Sequence, residues 1–214
     1  MEKISLSEER IEELRGEVSR FQDGRRFSHT LGVEKEAARL GELFLPQEIA
    51  RLRVAALLHD ITKMYDYEKQ LKICSEFGIM VCGSEKASPK LLHAITGAAV
   101  AERDFSDCAD STVISAVRWH TTGRENMTVF EMLIYLADYI EETRTFEDCI
   151  ALRSYFYNGI EKAKTAAERL EVLRRAMILS FDMTIKALIS EGAPVDRNTV
   201  DARNWFILND ISIP

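Results

Sequence analysis

The sequence predicts an all-α protein, a helical bundle that carries its chemistry in the core. Two observations point there. Only 10 glycines and 4 prolines occur in 214 residues, with few alternating β-branched runs. Apolar residues also recur at helical spacing through most of the chain. With 46% hydrophobic residues, residues 1–214 suffice for a single domain with a sizeable core.

The elements follow in order. Ser5 with Glu8 reads as a capping box opening a helix to about Phe21, with Ile11 and Leu14 on its apolar side. A second helix from near Arg26 to about Phe44 aligns His29, Val33, Ala37 and Leu40 on one face. Pro46 suits a first helical position, and Ile49 to Leu58 becomes steadily more apolar until it delivers His59-Asp60 at its end. Ser88-Pro89 reads as a cap and N1 proline starting a helix that carries His93 toward Val100. His120 closes the apolar helix Val113 to Trp119. Thr128 with Glu131 forms another capping box, after which Phe130, Leu133, Ile134 and Ala137 put Asp138 near a buried side. Thr145 with Asp148 is expected to cap a helix of two to three turns. A long helix from about Glu161 to Ser190 follows, stopped by Gly192 and Pro194, and the tail to Pro214 is expected to be irregular.

Charge excludes some functions. With 35 acidic against 28 basic residues and a net charge of -7, no basic field exists to hold an extended nucleic acid. Met1 to Phe21 lacks the apolar run of a signal peptide and no stretch is long enough to span a bilayer, so a cytoplasmic protein without membrane contact is expected. Cys74, Cys82, Cys108 and Cys149 show no Cys-x-x-Cys spacing and read as reduced structural thiols.

All four histidines join one ordered pattern: His29, the pair His59-Asp60, His93 and His120, with Asp138 beyond. A lone His-Asp pair means little, because a buried histidine is more often a satisfied core or capping residue than a ligand. Every histidine of the chain riding on an apolar helix, with an aspartate following, is different. Neutral imidazole nitrogens with carboxylate oxygens suit iron, manganese or zinc better than magnesium.

Several stretches extend the pattern: Arg26-Phe27-Ser28-His29-Thr30 with Gly32-Val33, Leu57-Leu58-His59-Asp60-Ile61-Thr62-Lys63, and Leu92-His93-Ala94. More distinctive are Arg118-Trp119-His120-Thr121-Thr122-Gly123-Arg124, Met127-Thr128, and Ala137-Asp138-Tyr139-Ile140-Glu141 with Arg144. In these the chain resembles the HD superfamily of metal-dependent phosphohydrolases, and within it the bacterial YqeK-type branch, which cleaves diadenosine tetraphosphate symmetrically into two ADP. The resemblance implies an HD core over about residues 25–145, with an N-terminal helix and a C-terminal helical extension. It implies His29, His59, Asp60 and Asp138 as metal ligands, with iron the native metal, one ion or two.

The same resemblance turns His93 and His120 toward the phosphates or a metal-bound water, so that with Asp60 and Lys63 they form the catalytic set. For the substrate it implies contacts from His29, Gly32, Asp60, Lys63, His93, His120, Thr121, Thr122, Gly123, Arg124 and Arg144. Pro194, Val195 and Thr199 resemble the family's C-terminal segment that closes over the nucleotide, although Asp196-Arg197-Asn198 departs from the pattern. Charge chemistry alone makes Lys63 and Arg144 candidates for the polyphosphate. Alternative readings are an HD phosphohydrolase acting on a mononucleotide or alarmone, and a di-iron HD-type oxygenase. The sequence leaves a homodimer open.

Overall fold

The computed structural model describes residues 6–212, and every regular element among them is a helix. Helix α1 (Glu8–Val18) starts where the Ser7 hydroxyl accepts from the Arg10 amide at 3.2 Å, and it continues as a 3-10 turn over Ser19–Phe21. Ser5, the expected cap, lies outside the described residues. Asp23 caps α2 (Gly24–Phe44) through the Arg26 amide, and His29, Val33, Ala37 and Leu40 all face inward from it. Pro46 opens a 3-10 turn that leads into α3 (Ile49–Leu58), whose last six residues but one are buried.

Two helices, α4 (Tyr67–Glu76) and α5 (Gly83–Ala87), occupy a stretch for which the sequence predicts no element. The expected Ser88 cap is corrected by the structure. Its side chain makes no capping bond, and Pro89 opens a 3-10 turn before α6 (Leu92–Asp104), which runs past Val100. Asp110 caps α7 (Ser111–Trp119), and His120 follows as its C-cap. Thr128 and Glu131 form the reciprocal capping box of α8 (Val129–Ile140) as expected.

The C-terminal part needs three corrections. Helix α9 (Glu147–Lys162) is 16 residues long rather than two to three turns, and its N-cap is Phe146 without a side-chain bond, not Thr145. Asp148, inside the first turn, accepts from the Cys149 amide at 2.9 Å and from the Tyr139 hydroxyl at 2.8 Å. Helix α10 (Ala166–Ser190) begins at a second capping box, Thr165 with Glu168, and not near Glu161. The tail is not irregular, because Asp196 caps a further helix, α11 (Arg197–Leu208).

Helices α2, α3, α7 and α8 pack on one another as the inner layer, with α1 against α3 and α6 against α7. Their apolar faces merge into one buried cluster that also takes in Leu152, Phe156, Leu173, Phe181 and Phe206 from α9 to α11. Burial of this contiguous apolar surface supplies the main drive for the helices to assemble. It also fixes the helix ends that carry the polar residues described next. No helix among the described residues is long and apolar enough to cross a membrane.

Candidate metal centre

Four helix ends and one helix face converge. His29 projects from α2, His59 and Asp60 from the end of α3, His93 from the first turn of α6, His120 from the end of α7 and Asp138 from the last turn of α8. His29 Nε2 lies 3.0 Å from Asp138 Oδ1, and His59 Nε2 lies 3.9 Å from the same oxygen. Asp60 stands between this trio and the other two imidazoles, with Oδ2 3.6 Å from His59 Nε2 and Oδ1 3.1 and 3.7 Å from His93 and His120 Nε2. Two adjacent donor groups result, His29 with His59 and Asp138, and Asp60 with His93 and His120.

The backbone dictates which ring nitrogen faces the centre. His59 Nδ1 lies 2.5 Å from the Ala56 carbonyl, His93 Nδ1 2.5 Å from that of Lys90 and His120 Nδ1 2.7 Å from that of Val117. A carbonyl only accepts, so each Nδ1 carries the proton and donates, and each neutral ring turns a bare Nε2 lone pair inward. Each pairing reaches back three residues, and at the ends of α3 and α7 it satisfies a carbonyl that the helix would leave open. His29 repeats the logic with a carboxylate, its Nδ1 lying 3.0 Å from Glu141 Oε1.

Burial keeps the His59 and His93 rings neutral. It pushes both His59 and His93 down to about 4, with the Lys63 charge adding to the effect on His93. For His29 burial acts downward too, but the carboxylates of Asp138 and Glu141 outweigh it and raise the group. Burial alone would raise Asp60 and Asp138. The charge of Lys63 beside Asp60, and of Arg144 beside Asp138, holds each well below the usual carboxylate range.

Imidazole bases and ionised carboxylates are the protonation states that metal binding demands. His29 Nε2, His59 Nε2 and Asp60 Oδ1 are moreover fully buried without a hydrogen bond of good geometry. Buried polar atoms are rarely left so. His93 and His120 Nε2 face each other at 3.0 Å, with Lys63 Nζ and the Thr121 hydroxyl within 3.2 Å to supply protons. The orphaned atoms in and beside the first group therefore fit a divalent transition metal, and the nitrogen-oxygen donor set suits iron, manganese or zinc.

The pKa shifts carry a stability consequence. His59 and His93 have folded values of about 4, below the roughly 6.5 of an unfolded histidine, so between those limits the unfolded chain binds more protons. Their contribution, about 3 kcal/mol each, is complete above pH ~6.5 and fades as pH falls toward 4. His29, raised, acts in the opposite sense, and the two aspartates lose their contribution only below their unfolded values. Urea unfolding of the chelated protein should show a net loss of stability from pH 6.5 to 4; a flat or rising profile would contradict these assignments.

The surroundings sort the other expected residues. Lys63 lies 3.7 Å from Asp60 Oδ1 and 3.1 Å from His93 Nε2, in a turn that Thr62 ties to the His93 carbonyl at 2.9 Å. Arg144 grips Asp138 through its backbone oxygen at 3.0 Å and its Oδ1 at 2.5 Å. Thr121 borders the centre, whereas Thr122 folds its hydroxyl onto the Gly123 carbonyl. Gly123, at φ 66°, abuts Phe181 of α10 and Ala202 of α11, so a side chain there would collide. The Arg124 guanidinium is committed to Glu131 at 2.9 Å. Pro194, Val195 and Thr199 line neither cavity at the centre; they flank Asp196, whose carboxylate accepts from Ser84 at 2.7 Å.

Two residues of this neighbourhood escape the list of expected site residues. Arg26 Nη1 donates to Asp60 Oδ2 at 2.8 Å. Glu141, 0% exposed, accepts from the Thr143 amide and hydroxyl, both at 2.6 Å, while it orients His29. Gly32, expected at the substrate, instead leaves room for Glu141, since a Cβ there would fall on the Glu141 carboxylate. Gly32→Ala should therefore weaken metal affinity by about 10–100-fold, as loss of an orienting partner does. Titration of the chelated variant with zinc would measure it, and unchanged affinity would sink the account of Gly32.

The HD domain family model matches residues 26–143. A Bacillus subtilis protein named bis(5'-nucleosyl)-tetraphosphatase, symmetrical, is 31% identical to the chain, the alignment covering 85% of this chain and 89% of that protein. One of the same name from Halalkalibacterium halodurans is 33% identical, with 86% and 89% covered. Among solved structures, a predicted HD superfamily hydrolase involved in NAD metabolism from Clostridium acetobutylicum superposes with a TM-score of 0.80 at 32% identity, covering 92% of this chain and 96% of that one.

Proposed function

The chain belongs to the HD domain family of hydrolases, and from that premise we propose that it hydrolyses diadenosine tetraphosphate to two ADP. The observation that carries the reading is the array of inward Nε2 lone pairs and ionised carboxylates, ringed by Lys63, Arg26 and Arg144. Relatives that share most of the chain's length and are named symmetrical tetraphosphatases support the choice of substrate. Iron is the proposed metal, with manganese or zinc as alternatives.

His29, His59, Asp60 and Asp138 would hold the ion. A metal held by these residues would supply an acidified water near neutral pH and would offset phosphate charge. The protein's own groups do the rest. Arg144 fixes the Asp138 carboxylate while its guanidinium lines the cavities on both flanks of the centre. Lys63 and Thr121 place proton donors beside His93 and His120, where they can meet phosphate oxygens. Fixing the phosphorus relative to these groups, rather than any special chemistry, would determine which bond breaks. Gly123 and Arg124 act from behind, Gly123 by seating the turn after His120 against Phe181 and Ala202 and Arg124 by its pairing with Glu131.

Incubating the metal-loaded protein with diadenosine tetraphosphate and separating the products should give ADP alone, lost on chelation. ATP with AMP would refute symmetrical cleavage. No turnover by a protein that retains its metal would redirect the search to mononucleotides and alarmones.

A further inference from the structure

Two cavities open at the centre. One, of about 330 Å³, lies on the side of His120 and Asp138 and includes Lys63, Thr121 and Tyr139. The other, of about 430 Å³, lies on the side of His29 and Glu141 and includes Arg25, Met64 and Thr143. Arg144 and Phe146 line both. Each volume falls within the range of roughly 300–1,000 Å³ usual for small-molecule sites.

Nothing in the chemistry of the metal centre explains the second cavity. Its carboxylates are occupied internally: Asp23 caps α2, and Glu141 is held by Thr143 and His29. Arg26 and Arg144 are committed to Asp60 and Asp138. Arg25 alone among its arginines is exposed and forms no ion pair among the described residues. At the same mouth Phe146 is 60% and Met64 49% exposed, two large apolar side chains left in water beside an unpaired guanidinium. A free cation next to an open aromatic face is the pairing that binds a phosphate and stacks a base.

We propose that the cavity beside His29 seats the second nucleoside half of the substrate, with Arg25 on its phosphate and Phe146 and Met64 against its base. The inference rests on the tetraphosphatase reading for the identity of the nucleotide. A substrate with a nucleoside at each end needs two such seats, one on each flank of the phosphorus under attack. The shared position of Arg144 places the polyphosphate between them.

The test separates this proposal from the reading it rests on. For Arg25→Ala and Phe146→Ala, the preference in kcat/KM for diadenosine tetraphosphate over adenosine tetraphosphate should fall roughly tenfold. Independently of turnover, calorimetric titration with ADP should find two molecules per wild-type chain and one per Arg25→Ala/Phe146→Ala double variant. Because both side chains are exposed, the thermal midpoint should stay near that of the wild type, which distinguishes lost binding from lost folding. One ADP per wild-type chain would overturn the proposal, as would two ADP per double-variant chain with an unchanged preference. Two sites reduced to one, with no tetraphosphatase turnover in the wild type, would keep the second nucleotide seat and refute the tetraphosphatase reading instead.

Discussion

Asp60→Ala should lower kcat/KM for nucleotide hydrolysis by about 10³-fold or more and strip the protein of its metal, because the carboxylate stands between His59 and the pair His93 and His120 and the metal supplies several kcal/mol of charge stabilisation. Asp60 is 2% exposed and meets His59, His93, His120, Lys63 and Arg26 within 3.7 Å. Its removal leaves cationic and imidazole side chains without their counter-charge in a buried site, a situation more costly than the pairing was favourable. Asp60→Asn tests charge apart from shape, since the amide oxygen can still accept from Arg26 while the negative charge is gone. The assay pairs kinetics with elemental analysis of the purified variant. Full metal content with full activity in Asp60→Ala would remove this residue from the site.

Phe181→Ala should cost about 3–5 kcal/mol, the range for truncating a buried phenylalanine. The ring is fully buried at a junction of four segments: it packs 4.9 Å from Tyr135 of α8 and 5.9 Å from Phe206 of α11, centroid to centroid, and it closes on Gly123. A loss of that size is a large share of the roughly 5–15 kcal/mol by which a domain exceeds its unfolded state. It would also free the turn after His120. Urea unfolding with and without metal measures both effects, and a loss under about 1 kcal/mol would mean that the cavity collapses and that Phe181 is not the wall it resembles.

The inner layer was legible because its signals are strong. His29, Val33, Ala37 and Leu40 repeat at helical spacing, and Thr128 with Glu131 announces α8, where the structure places the same residues. The outer helices were obscured for physical reasons. The break between α9 and α10 contains no glycine or proline and is written only in the Thr165 and Glu168 box, a signal as short as the one read correctly at Thr128. Helix α11 buries just Thr199, Ala202 and Phe206, too sparse and too small a stripe to stand out from its polar neighbours. At the centre, residue type and order brought the six donors to notice. Glu141 and Gly32 matter through mutual fit, a property of two helices packed together that neither segment expresses alone. Arg124 illustrates the converse, since a guanidinium next to a site residue was claimed by the capping glutamate of the following helix.

The order of the donors and of the aromatic wall along the chain has a consequence during synthesis. Every donor of the centre lies at or before Asp138, whereas Phe181 and Phe206 belong to the later helices α10 and α11. At about 5–20 residues per second, a ribosome spends several seconds adding residues 139–206. Throughout that interval the nascent chain holds all its donors with the Tyr135 face still bare, so the pace of translation sets how long an unfinished shell stays open to the cell.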